Sequence, residues 1–399
     1  MRVLFLTLGS PCPPDSGVRI RDYNIIRNVA RAHRVDLRCL LYSEEEIPAL
    51  AEASAFCHSV DYVIMRPRTV REYLSLLPRH MWHMPPATWS FFYEEMAGKL
   101  RQTIDGQAID LIQIEHSFLA PYLASVPRNS GCKTVLSLHN LGSRQYARMR
   151  HLRMPMPEKV LFWLKWLAML GWETRAASRF DHVVAVSEIE AGLLREANPD
   201  IPVTLIENGC DMNLFTPRPE TAGDPVMLFA GTLGYPPNVD AVLSFCQDSL
   251  PLIRREIPGA RFVVVGHRPP PDIQRLPGQH GVEIMGSVPD VAPFYEQAHV
   301  CVVPLRAGGG TRLKIIEAMA AGRAVVSTTI GCEGLDVRHN EHLLIADDPA
   351  DFAAAAIRLL RDADLRRRLT GNARQLVALR YDWAAITARL LRVYDEVTG

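Results

Sequence analysis

The chain has 399 residues, with 44 Lys plus Arg against 44 Asp plus Glu, so its formal net charge is zero and no global basic field marks it for nucleic acid. The length exceeds the usual single-domain size and predicts two domains of roughly 150 to 200 residues, each able to bury a core of its own. Eight scattered cysteines without a C-x-x-C pair exclude a disulfide framework and a zinc site. With Cys39 and Cys301 inside apolar runs, they predict reduced core thiols in a cytoplasmic protein.

The first element is "RVLFLTL", whose apolar run ends at Leu8 before turn residues begin, so it reads as a β-strand and not as a signal peptide. A helix follows from about Ile20, then strand-like runs "VDLRCLL", "DYVIM", "DLIQI", "TVLSLH" and "HVVAVS" alternate with helical patterns. A second series, "VMLFAG", "RFVVVG", "VEIMG", "VCVVP", "AVVST" and "HLLIA", repeats the alternation. Both predict an α/β protein of two doubly wound Rossmann-like domains with parallel sheets, whose crevices face one another across a cleft. The Asn208-Gly209 turn and the prolines after it mark the boundary. The expected division is 1–207, 208–380 and a terminal helix at 381–399.

The segment "VLFWLKWLAMLGW", Val160 to Trp172, is well short of the ~20 residues a bilayer span needs. It reads as a buried or half-buried helix of the first domain, with a place at a membrane surface as the alternative.

The stretch "AGGGTRLKIIEAMAAG" breaks a helix rule. Gly308, Gly309 and Gly310 stop the helix from extending backwards and Thr311 is the natural N-cap, yet Arg312 and Lys314 bring two cations to the positive end of the dipole. Each costs roughly 0.3–1 kcal/mol there unless an anion sits between them and the free amides. Because "VCVVPL" precedes the turn, the glycines lie at the carboxyl end of a strand and open a helix, the geometry that holds a phosphate.

With "ENGCDMNLF", "LFAGTLGYPPNVDAV", "EIMGSVPDVAPFYEQAHVCVVPL" and "GGGTRLKIIEAMAAGRAVVSTTIGCEGL" in this order, the second half resembles the family-4 glycosyltransferases, enzymes of the GT-B fold that use nucleotide sugars. By that resemblance Glu317 contacts the donor ribose, and Arg312 and Lys314 hold the diphosphate together with the Gly309, Gly310 and Thr311 amides. The plain structural alternative is a surface ion pair between Lys314 and Glu317 at i, i+3. Many members carry a glutamate where this chain has Gly309, so it resembles a branch with a Gly-rich turn there. The backbone at Ser287 and Val288 resembles the part that meets the nucleobase. The loop with Gly231, Asn238 and Asp240 borders the donor but lacks the cations of many relatives, which leaves Arg306 or Arg312 to supply the charge.

On the acceptor side, Gly17 and Arg19 open the first helix and resemble the loop that reaches the donor phosphates. Glu115 or His116, with the offset open, and His139 stand at strand ends where relatives place polar groups near the reacting sugar; the alternative is a structural histidine. The terminal "YDWAAITARLLRVYDEV" resembles the helix that crosses back onto the first domain. The resemblance implies sugar transfer to an acceptor hydroxyl with retention, without cofactor or metal, since no D-x-D pair or His cluster has metal spacing. The competing readings are a nucleotide-sugar epimerase or isomerase and a non-catalytic partner subunit. The acceptor is open. Trp163, Trp166 and Trp172 beside Arg148, Arg150, Arg153 and Lys165 point to a lipid-linked or membrane-surface one, and to peripheral attachment at the inner membrane.

Overall fold

A computed structural model describes residues 1–69, 71–72, 84–149, 155–219, 223–278, 281–308 and 312–399. The expectations for Gly309, Gly310 and Thr311, and for Arg150 and Arg153, lie outside the described residues. The chain forms two compact units. The first comprises Met1–Ala147, Val160–Glu207 and Ile386–Gly399, the second Arg148–Lys159 and Asn208–Ala385.

The first unit is built on seven strands: β1 (Arg2–Leu8), β2 (Arg34–Leu41), β3 (Ser59–Ile64), β4 (Leu111–Glu115), β5 (Lys133–Leu138), β6 (His182–Ala185) and β7 (Val203–Leu205). They lie in the order β3-β2-β1-β4-β5-β6-β7, all parallel, with Val3 opposite both Val35 and Leu111. Central strands of such a sheet are covered on both faces, and β1 and β4 accordingly bury Val3 to Leu6 and Leu111 to Glu115 without a break, Gln113 and Glu115 included. Strand β7 escapes sequence reading because three residues carry no period.

The second unit has six strands: β8 (Val226–Ala230), β9 (Arg261–Val265), β10 (Val282–Gly286), β11 (Val300–Val303), β12 (Ala324–Ser327) and β13 (Leu344–Ile345). Their order is β10-β9-β8-β11-β12-β13, again parallel. In each sheet the winding reverses beside the first strand, between β1 and β4 and between β8 and β11. Two loops diverge there, and doubly wound sheets bind ligands at that point.

The last helix, Trp383–Thr398, leaves the second unit and ends in the first, burying Ile386, Leu390 and Tyr394. Of the two expectations for Val160 to Trp172, buried or half-buried, the structure gives the half-buried one, with Phe162, Trp166 and Ala168 partly covered. The helix is Met156–Met169 and only Met169 on it is buried, while Leu161, Trp163, Leu164 and Leu167 are exposed. Apolar composition does not distinguish a helix packed in a core from one turned outward. All eight cysteines are free thiols, seven of them buried.

Candidate active site

At the winding reversal of the second unit, the loop after β8 and the helix Leu313–Ala320 after β11 come together. Arg312 is itself the N-cap, with φ −94° and ψ 94°, and neither a capping side chain nor an acid in the first turn offsets the dipole. Gly322, at φ +70°, ends the helix in the left-handed conformation that favours glycine.

Lys314 turns back over the sheet. Its Nζ donates to Asn238 Oδ1 at 2.9 Å and stands 3.9 Å from the centre of the Phe229 ring, whose face favours the ammonium. Asn238 is oriented by its own Nδ2, which donates to the Thr232 carbonyl at 2.8 Å. Gly231 makes the approach possible, since a Cβ there would fall 2.6 Å from Nζ. Burial, with Arg312 second, pushes the Lys314 pKa down to about 7 against the opposing pull of Glu317. Arg312 is buried beside Gly308, where a Cβ would lie 2.8 Å from its Nη2.

Glu317 is buried and its Oε2 accepts from the Tyr295 hydroxyl at 2.9 Å; burial raises its pKa despite Tyr295 and Lys314. The surface pair of Lys314 with Glu317 is therefore not what forms, because each has a different buried partner. Arg306 is engaged by Asp240 in a two-pronged contact of 2.8 and 2.5 Å, so Asp240 has the cation its loop lacks and Arg306 is not an uncommitted charge. Ser287 and Val288 follow β10. Ser287 is exposed and its Oγ lies 2.8 Å from His267 Nδ1, a neighbour that sequence reading missed.

In the first unit the reversal between β1 and β4 gathers a second group. Glu115 ends β4, His139 follows β5, and the helix Gly17–Val29 adds Arg21 and Asp22. His139 Nε2 lies 2.9 Å from Glu115 Oε2 and 3.1 Å from Asp22 Oδ1. His116, at φ 72°, stacks its ring on that of His139 with centres 3.8 Å apart. Behind Glu115 a relay runs outward: Gln113 Nε2 donates to Glu115 Oε1 at 2.6 Å, and Tyr394 of the last helix donates to Gln113 Oε1 at 2.5 Å.

The charges follow from these contacts. Burial works against an imidazolium, but Asp22 and Glu115 outweigh it and raise the His139 pKa. Burial likewise opposes ionised Glu115, yet His139 and Arg21 hold its pKa below the usual range; burial raises that of Asp22. His116 is pushed well down by burial and then by His139 and Arg21, which keeps it neutral. Asp22, His116 and His139 present atoms within 4.8 Å of one another, a possible metal trio. The stacked rings and the two carboxylates already on Nε2 oppose that use.

Glu115, His116 and His139 are thus together as their strand-end positions implied. Asp22, Arg21, Gln113 and Tyr394 were missed, since a charged pair in "VRIRDY" looks like an ordinary solvated helix face. Gly17 is exposed at its helix start, and Arg19 pairs with Asp15 and Glu46 of its own unit.

Comparison with known proteins bears on both groups. Residues 16–214 match the family described as Glycosyltransferase Family 4 and residues 224–362 that described as Glycosyl transferases group 1. A phosphatidyl-myo-inositol mannosyltransferase of Mycobacterium tuberculosis is 32% identical over 236 residues, 54% of this chain and 60% of that protein. A D-inositol 3-phosphate glycosyltransferase of Thermobispora bispora is 27% identical over 293 residues, 67% of this chain and 65% of that protein. The match therefore spans under two thirds of the length of these relatives. Among solved structures, sucrose-phosphate synthase from Thermosynechococcus elongatus superposes with a TM-score of 0.72 at 21% identity, over 100% of this chain and 99% of the other. An Anabaena protein solved with UDP and glucose gives 0.70 at 16% identity, over 99% and 100%. These two likenesses speak to the fold alone. Taken with the two family matches and the paired parallel sheets, they place the chain in the family-4 glycosyltransferases, with the GT-B fold.

Proposed function

We propose that the protein transfers a sugar from a nucleotide-diphosphate sugar to an acceptor hydroxyl, with retention and without a metal, in the synthesis of a glycolipid, polysaccharide or other glycoconjugate. The observation that carries this reading is the helix start at Arg312. Two buried or partly buried cations meet a helix amino terminus that has no acid in its first turn, and the lysine is held so far from water that its pKa falls to about 7. Such a site is unfavourable when empty and favourable around a diphosphate. Glu317, farther along the same helix, is in this reading the ribose partner, with Ser287 and Val288 beside the base. The named activities of the relatives, a mannosyltransferase and an inositol glycosyltransferase, support the same class.

In the reaction the acceptor oxygen forms a bond to the anomeric carbon as the bond from that carbon to the phosphate oxygen breaks. The acceptor proton passes to the departing phosphate oxygen. Charge grows on the leaving diphosphate, so Lys314, Arg312 and the helix amides act as fixed electrostatic stabilisers. Glu115, His116 and His139 belong to the sugar and acceptor side. His139, held as a cation by two carboxylates, positions and does not take the proton.

Incubation with a panel of nucleotide sugars and no acceptor tests the reading. Slow release of nucleoside diphosphate supports transfer. Epimerisation of the donor would point to an epimerase working through the Glu115 and His139 group. A panel in which no nucleotide sugar binds would point to a partner subunit.

A further inference from the structure

The helix Met156–Met169 turns an apolar face to solvent. Met156, Leu164 and Leu170 are 68, 51 and 56% exposed, and Val160, Leu161, Trp163 and Leu167 lie between 42 and 49%. At about 100° per residue, Met156, Val160, Trp163, Leu167 and Leu170 share one narrow arc, and Leu164 and Leu161 widen it to about half the circumference. Lys159 and Lys165 flank its two edges, Lys165 standing 5.6 Å from the Tyr146 ring and 5.7 Å from that of Phe162. The helix is too short to cross a bilayer, and no helix among the described residues is long and apolar enough to do so.

Charge identifies what covers this face. Between residues 144 and 179 the sequence has eight Lys and Arg and two Glu, in a chain whose formal charge is zero. One of the two, Glu173, is buried and bonds Ser117 and the backbone of Gly142 and Ser143, and one of the cations, Arg148, pairs with Glu333, which leaves seven Lys and Arg against Glu158 in the stretch. A second copy of the chain would bring a like-charged rim against this one. An anionic lipid surface supplies both an apolar interior and negative headgroups.

We propose that this face docks on an anionic bilayer, with Trp163, Leu164 and Leu167 entering the acyl boundary while Lys159 and Lys165 reach the headgroups. The inference does not rest on the transfer reaction, and its test uses no donor. The full chain is sedimented with vesicles of phosphatidylcholine alone and of equal parts phosphatidylcholine and phosphatidylglycerol. Wild type should bind the phosphatidylglycerol vesicles, and weaken as salt is raised. The double substitution Leu164→Gln with Leu167→Gln should lower the partition coefficient roughly tenfold or more. Its melting temperature and nucleoside diphosphate affinity should not change, because both side chains are exposed. Lys159→Glu with Lys165→Glu should abolish the preference for phosphatidylglycerol. Failure of wild type to bind, or equal binding by the leucine variant, would overturn the proposal. It would fall equally if wild type self-associated in sedimentation velocity and the leucine variant were monomeric with vesicle binding unchanged.

Discussion

If Lys314 grips a diphosphate, binding must carry a proton with it above neutral pH. The empty protein holds this lysine at a pKa of about 7, against an ordinary value of 10.5. A diphosphate against Nζ restores the favourable partner that burial removed and moves the value back up. A complete return of about 3 to 4 units is roughly 4 to 5 kcal/mol of coupling. Between about pH 7.5 and 9, where the nucleotide is fully ionised, wild type should take up close to one proton per diphosphate, and affinity should fall up to tenfold per pH unit. Calorimetric titration in two buffers of different ionisation enthalpy reads the uptake directly. Lys314→Gln should abolish the uptake and, at about pH 7, weaken binding roughly 10- to 100-fold, as expected for a hydrogen bond to a charged group. The stability of the empty protein gives the opposite sign. Because the folded value lies below the unfolded one, the buried ammonium destabilises the fold below about pH 7, and the penalty fades as pH rises towards 10.5. The Gln variant should therefore be as stable as wild type or more stable near pH 6 when empty. Loss of empty-state stability with unaltered diphosphate affinity and unaltered proton uptake would refute the phosphate site.

Glu317→Gln should weaken nucleoside diphosphate binding and transfer together by roughly tenfold, the loss of about one charged hydrogen bond, while unchanged affinity in a fluorescence titration would remove the ribose contact. His139→Gln should destabilise the protein more at about pH 6 than at about pH 9. A histidine with a raised folded pKa contributes its full stabilisation below its unfolded value and loses it as pH climbs through the folded one; urea unfolding at both pH values checks the sign. Tyr394→Phe should cost about 1–3 kcal/mol by leaving buried Gln113 Oε1 without its donor, and deletion of Tyr381 to Gly399 should expose the first unit to limited proteolysis.

Much of the fold was legible because its cues are local. Short β-branched runs such as "RFVVV" and "VCVV", each bounded by turn residues, read as strands covered on both faces, and the misplaced cations of "TRLK" marked the helix start at which an anion is proposed. What stayed hidden depends on neighbours remote in sequence. Nothing near Lys314 shows that it reaches back to Asn238 and Phe229, or that Gly231 is there to make room for it. Asp22 and Arg21 sit on a helix whose other residues follow an ordinary amphipathic pattern, so their burial becomes visible only when β4 and β5 are laid beside that helix. The exposed face of Met156–Met169 was hidden for the converse reason. Leucine and tryptophan at helical spacing specify an apolar partner without saying whether that partner is the core.

The two polar groups differ in a way that bears on their division of labour. In the first unit the charges at the centre of the group face opposite ones: His139 lies against Glu115 and Asp22, Glu115 is also held by Gln113, and Gln113 by Tyr394. A charge-paired network braced from several elements shifts little when a substrate arrives, which suits a group proposed to orient a sugar or an acceptor. The second unit differs at Lys314. Among the described residues Lys314 has one neutral hydrogen-bond partner and a ring face, Arg312 is buried beside it, and both oppose a helix dipole with no acid in the first turn. That excess positive potential is fixed in place by the sheet and by Gly231 before any ligand binds. On the proposed reading it is available in full when charge develops on a leaving diphosphate, and the protein need not reorganise at that moment. Preorganised charge of this kind discriminates by ligand charge, so a nucleoside diphosphate should bind more tightly than the corresponding monophosphate, and Lys314→Gln should narrow the gap. An equal gap in wild type and variant would locate the discrimination elsewhere.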